Sequence, residues 1–174
     1  QAGGTPLMSA LFYGAREAAN YLAEKSREPD NLRVAAGLGD LHRVRELLED
    51  FEAASRGRDW YRPHDEYPAW TPGETRQEVL DEALWYASTN GRLKALRLLV
   101  AAGADPGART YWSTPLHTAQ LAPHHDVIRY LIDQVEDFTS SDTIYRATVA
   151  EWTDFAGDDT SRKMILDAAS EQDA

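Results

Sequence analysis

The chain has 174 residues and 43% apolar side chains, enough to bury a sizeable core. Its formal net charge of −11 repels phosphate backbones, which argues against nucleic acid as a partner and favours a basic protein. There is no cysteine, which removes disulfides, thiolate catalysis and the common zinc frameworks, and no apolar run reaches membrane-spanning length.

Thr5-Pro6-Leu7-Met8 opens the first segment. Proline is tolerated in a first helical turn because its missing N–H would have no intrahelical partner there. A turn at Gly14 and a second helix over Ala15–Lys25 follow, with Ala18, Ala19 and Leu22 toward a neighbour. Asp30–Phe51, DNLRVAAGLGDLHRVRELLEDF, repeats the pattern. Leu32, Ala35 and Ala36 form the packed face of its first helix. Gly39 takes the turn, and Leu41, Val44, Leu47 and Leu48 pack the second helix.

Residues 52–78 break the period with proline, glycine, charge and aromatics. Long connections inside compact domains are uncommon and often functional. This one carries Trp60, Tyr61, His64, Tyr67 and Trp70. The third helix pair fits Val79–Ala108, with Leu84 and Ala87 in its first helix and Gly91 at the turn. Leu93, Leu96, Leu98 and Leu99 pack its second helix. Gly103-Ala104-Asp105 closes it, glycine being favoured where a helix ends in the left-handed conformation.

The fourth pair, Thr114–Gln134, is the clearest. Thr-Pro-Leu-His starts a short helix to about Leu121, and Pro123 makes the turn. Val127, Ile128, Leu131 and Ile132 form one stripe. The fifth, Thr148–Ala169, has Thr148-Val149-Ala150-Glu151 in the opening position and Gly157 at the turn. Met164, Ile165 and Leu166 lie in its last helix.

The Thr-Pro-Leu-His start, followed by a turn and a second helix, resembles the ankyrin repeat. Gly103-Ala104-Asp105 is similar to the end of the second helix in that family. The resemblance covers about 5–51 and 79–169. It implies an all-α ankyrin-repeat solenoid of about five helix-turn-helix units, with short fingers and a long aromatic insertion. The units fall near 5–29, 30–51, 79–111, 112–142 and 143–170 of a single domain, 1–174, and the insertion at 52–78. The spacing from Gly14 to Gly39 is short for a repeat of about 33 residues, which implies a trimmed finger. Pro106–Ser113 should form a finger with Tyr111 and Trp112 near its tip. Glu136–Asp142 departs from the family pattern. A degenerate last unit is expected, because one face of a terminal repeat meets water.

In this family the fingers and first helices line a concave face that binds proteins, and catalysis is rare. Carried over by position, the residues four after each unit's start face the groove: Ser9, Val34, Tyr86, Thr118 and Trp152. Those eight after lie near it: Tyr13, Leu38, Asn90, Ala122 and Ala156. Tyr13, Tyr86, Tyr111, Trp112 and Trp152 would then form an aromatic band which, with Asn90, contacts the partner. Rigid aromatics bury area at low entropy cost and often carry affinity. For Tyr86 and Trp152 the groove and the core stand as equal alternatives. Trp85, in the motif's His position, reads as packed. The rings of the insertion either shape a contact site over the groove or cover exposed leucines.

His117 reads as architectural, because the motif His usually bonds to neighbouring backbone. His124-His125-Asp126 does not read as a metal site, since adjacent side chains do not share a helix face. His42 should be exposed. No metal or cofactor is expected. The best catalytic constellation is His64-Asp65-Glu66 beside Tyr67. The sequence has no P-loop, dinucleotide fingerprint, nucleophile elbow or H-E-x-x-H. The reading is a non-catalytic, cytoplasmic protein-interaction module for a basic partner. It extends to an inhibitor or immunity protein that neutralises a basic enzyme, helped by electrostatic steering. The alternative is a small-molecule-binding protein or enzyme with a site near residues 60–70. Oligomeric state is left open.

Overall fold

Short polar side chains start most of the helices. In the computed structural model, which describes residues 5–25, 30–57, 73 and 75–172, eleven helices are present among the described residues. Thr5 caps α1 (Pro6–Phe12), Asn31 caps α3 (Leu32–Leu38), Asp40 caps α4 (Leu41–Glu49) and Asp50 caps α5 (Phe51–Ser55). Each side-chain oxygen accepts a backbone N–H three residues on, which satisfies one of the helix's orphan donors. Thr75 and Thr148 go further, forming reciprocal capping boxes with Glu78 and Glu151 at α6 (Arg76–Thr89) and α10 (Val149–Ala156). The remaining helices are α2 (Arg16–Ala23), α7 (Leu93–Ala101), α8 (Pro115–Thr118), α9 (His125–Ile132) and α11 (Asp159–Gln172).

Two rows of helices result. The first helices of the units, α3, α6, α8 and α10, pack on one another in sequence, and the second helices α4, α7, α9 and α11 back them. The core lies between the rows and runs from Leu32, Val44 and Leu47 through Leu84, Leu96 and Leu99 to Leu116, Ile128, Leu131 and Ile165. Gly14, Gly39, Gly91 and Gly157 all take positive φ at the turns between paired helices, a conformation that costs glycine little. Pro123 fills the same turn in the fourth unit. There α8 stops at Thr118, short of Leu121, because the next N–H groups reach back only three residues, Gln120 to His117 and Leu121 to Thr118.

Two fingers are closed by isolated bridges, Thr110 to Ser113 and Ser141 to Thr148. Tyr111 and Trp112 occupy the tip of the first, as the sequence predicts. The limits of the expected insertion 52–78 are narrower in the structure. Helix α5 continues to Ser55 and buries Ala53 and Ala54, and α6 starts at Arg76 because Thr75 and Glu78 cap it there.

The first helix pair departs from the expected stack. A first unit stacked on the second alone would be separated from the third by the second's width. Instead α1 packs on α3 and α6 together. The Leu11 carbonyl accepts from Asn90 Nδ2 at 2.7 Å, and a Cβ on Gly14 would stand 2.7 Å from the Thr89 carbonyl oxygen. On α2, Asn20 accepts from Arg92 at 2.7 Å. Helix α1 therefore lies across α3 and α6 rather than on α3 alone.

Candidate partner-binding face

The inner row carries the residues that the sequence assigns to a partner, and the structure brings most of them together. Tyr111 sits at the first central position of the two-residue turn, with φ of 59°. That conformation is strained for a bulky residue and persists only where its surroundings hold it. The Tyr111 hydroxyl donates to Glu82, whose carboxylate pairs with Arg33 at 2.7 Å. Arg33 also lies 5.8 Å from the centre of the Tyr86 ring, within cation–π range. Burial and the neighbouring Glu82 charge push the Tyr111 phenol well above its usual pKa, so it stays a donor. For Arg33, burial works against the charge, but the Glu82 carboxylate and the adjacent rings outweigh it and raise the pKa. The finger tip is thus anchored to α3 and α6 by a buried ion pair.

Aromatic rings surround that anchor. Phe12 of α1 stacks on Trp85 at 5.0 Å and meets Tyr111 edge-on at 5.4 Å. Trp85 donates to Ser113 Oγ at 3.1 Å and is fully buried, in agreement with its packed reading. Trp112 stacks on Trp152 at 5.2 Å. Leu7, Met8, Leu11 and Phe12 join these rings in a second apolar cluster.

The expected aromatic band is thereby an interior layer. Tyr86 and Asn90 are completely buried, and Tyr111, Trp112 and Trp152 are 8%, 6% and 5% exposed. Asn90 spends both donor hydrogens inside, on the Leu11 and Tyr86 carbonyls. Val34 and Thr118 are buried with them. The physical cause over α3 and α6 is α1, whose apolar side lies on this surface. Tyr13 alone of the band is open, at 51%. Trp60, Tyr61, His64, Tyr67 and Trp70, and the His64-Asp65-Glu66 constellation, lie outside the described residues.

What remains open on this side is farther along the chain. Leu121 and Phe155 occupy the position seven after the start of the fourth and fifth units and are 47% and 75% exposed. Ile144 and Tyr145, in the second finger, are 40% and 66% exposed. The Tyr145 ring stacks on Phe155 at 6.2 Å and meets Trp152 at 6.1 Å. Sequence reading missed these residues, because it took the groove row at the fourth and eighth positions instead of the seventh. It also missed Arg33 and Glu82. They hold the motif's His and Thr places in the second and third units, and charge at those inward places was the available signal.

Beside the finger base, Asp105, Glu136 and Asp137 line a cleft of about 320 Å³ with Gln134, Ser140 and Leu116. Near it Asp81 accepts from the Asp105 N–H at 2.7 Å, and burial keeps its carboxyl above the usual range.

The histidines are structural where the structure places them inside. Nε2 of His117 faces the Ala147 carbonyl at 3.2 Å, which assigns its proton there. Nδ1 then accepts from the Thr114 hydroxyl at 2.7 Å and the Thr114 N–H at 3.3 Å. Burial pushes the imidazole down to about 4. Nε2 of His124 lies 3.3 Å from the Thr89 carbonyl, and His125 meets Asp158 at 2.8 Å. His42 is exposed. Among the described residues, no three His, Cys, Asp or Glu side chains converge as a metal site. No helix among them is long and apolar enough to cross a membrane.

Paired helices in two rows, left-handed turns between partners and projecting fingers define a helical repeat solenoid. A family model for ankyrin repeats, in three copies, matches residues 32–142, and the chain belongs to the ankyrin repeat family. The match spans α3 to α9, so α1, α2, α10 and α11 fall outside it. Among curated proteins, none matches the chain. Ankyrin repeats are general protein–protein interaction modules, and the family is typically non-catalytic.

Proposed function

We propose that the protein captures a basic protein partner and acts as an inhibitor or immunity protein, without chemistry of its own. The supporting observation is the acidic cleft of Asp105, Glu136 and Asp137 beside the finger base, on a chain of net charge −11. A field of that sign speeds the approach of a positive partner and disfavours phosphate-bearing ones.

The test is capture from source-cell extract on the immobilised full chain, at low and high salt. The captured proteins should be basic, should be released by salt, and should include an enzyme whose activity falls on addition of the chain. A partner that is acidic, or that stays bound unchanged in high salt, would refute the reading.

A further inference from the structure

We propose that Ile144, Tyr145 and Phe155 form a docking shelf for a short basic segment of a partner protein. The segment lays an aromatic or aliphatic side chain on the stacked Tyr145 and Phe155 rings and a lysine or arginine beside Glu151. This rests on the protein-binding reading and gives it a location.

The shelf is built. Asp142 is buried, and its carboxylate accepts from the N–H groups of Ile144 at 2.8 Å, Tyr145 at 2.7 Å and Ala147 at 3.0 Å. It also accepts from Trp152 Nε1 at 2.9 Å. Burial alone would raise its carboxyl, but these four donors hold it below the usual range, so the charge that organises the loop persists. The loop also bends through Arg146 in the left-handed region, with φ of 56°. A loop organised in this way turns its large apolar side chains outward. Ile144 and Tyr145 stay exposed while Ala147 is buried. An exposed ring on a backbone fixed in this way suits a hot spot, because less conformational freedom is left to lose on binding.

The shelf is continuous with the interior stack, passing from Trp112 to Trp152, Tyr145 and Phe155 in steps of 5.2, 6.1 and 6.2 Å. Over α3 and α6 the equivalent surface is closed by α1. Phe155 therefore stands as the open end of a face whose other half is filled by the chain itself.

Charge selects the occupant. Glu151 lies one helical turn before Phe155 on α10, and its hydrogen bonds to Thr148 keep its carboxyl low and ionised. Asp154 precedes Phe155 and pairs with Arg162, and Asp159 opens α11. Arg146 is the cation beside Tyr145 in the chain. A segment with apolar and cationic side chains matches rings that have Glu151 one helical turn away on the same face of α10.

The probes are two synthetic peptides of equal length, one of leucine and lysine in amphipathic order and one with every lysine replaced by glutamate. Each is titrated into the isotope-labelled full chain, and the backbone amide shifts are followed. The basic peptide should bind, with shifts concentrated at Ile144, Tyr145 and Phe155, and the acidic peptide should not. A Tyr145→Ser/Phe155→Ser double variant should lose about tenfold in affinity, since both rings are exposed and their loss leaves the fold intact. Glu151→Gln, which keeps the capping geometry, should lose a smaller factor. Shifts centred on Asp105 and Glu136 instead would overturn the shelf while leaving the acidic-capture reading standing. Equal binding of both peptides would overturn the choice of a basic occupant. Sedimentation equilibrium supplies a further outcome. A wild-type dimer that the double variant abolishes would make the shelf a contact between copies and overturn the proposal.

Discussion

Replacing Glu82 by glutamine should destabilise the protein by about 3–5 kcal/mol, the range for removing one partner from a buried ion pair. Arg33 and Glu82 are 2% and 1% exposed and meet at 2.7 Å. Without the carboxylate, the remaining described hydrogen bonds of Arg33 are to Tyr111 Oη and the Gly57 carbonyl, both at 3.5 Å. Among the described residues its Nε has no partner. Guanidinium cannot shed its proton at any ordinary pH, so a cation would remain in an apolar cluster without a counter-charge. Arg33→Met should cost less. Glu82 would keep the hydrogen bond from Tyr111 and could take up a proton to become neutral. Arg33→Met with Glu82→Leu should recover much of the Glu82→Gln loss, because an apolar replacement of a buried pair is often neutral. Urea unfolding followed by circular dichroism and tryptophan fluorescence measures all four proteins. With a slope of about 2 kcal/mol per molar urea, Glu82→Gln should move the midpoint by about 2 M. A loss below about 1 kcal/mol, or a double variant no better than Glu82→Gln, would refute the argument that an unpaired buried charge sets the cost.

Two further outcomes follow from buried groups. Stability should fall as pH drops from about 6.5 to about 4, by roughly 3 kcal/mol from His117 alone. Burial lowers its native pKa to about 4, so the unfolded chain takes the proton first, and His124 is lowered in the same direction. Urea midpoints across that window should show the slope, and His117→Gln should flatten it; an unchanged slope in the variant would place the effect elsewhere. Gly91→Ala should cost about 2 kcal/mol or more, because its Cβ would overlap the His124 ring as well as strain a φ of 63°. Gly103→Ala, at φ of 101° with no atom of the described residues within 4 Å of the new Cβ, should cost about 1 kcal/mol from backbone strain alone. Thermal melts compare the two, and equal losses would remove the steric part of the argument.

The helix pairs were legible because they are local. Asn31, Asp40, Thr75 and Thr148 cap helices within three residues of themselves, and the apolar stripes repeat at helical spacing. The finger carrying Tyr111 and Trp112 was legible for the same reason. The partner face was less so. Arg33 and Glu82 are 49 residues apart, and neither shows in its own neighbourhood that it will meet the other. Tyr86 and Asn90 occupy positions that would point outward in a bare inner row, and they are buried because α1 crosses it.

Composition and helical periodicity therefore determined the acidic character and the helix pairs of this protein, and the Thr-Pro-Leu-His resemblance its repeat class and turn positions, since each depends on residues a few places apart. Tertiary structure decided which aromatics are available. Phe12 reaches Trp85 and Tyr111 across long stretches of chain, closing one half of the inner face and leaving Tyr145 and Phe155 exposed in the other. Burial is a property of what else arrives at a surface, and nothing local to Tyr86 or Phe155 encodes that arrival.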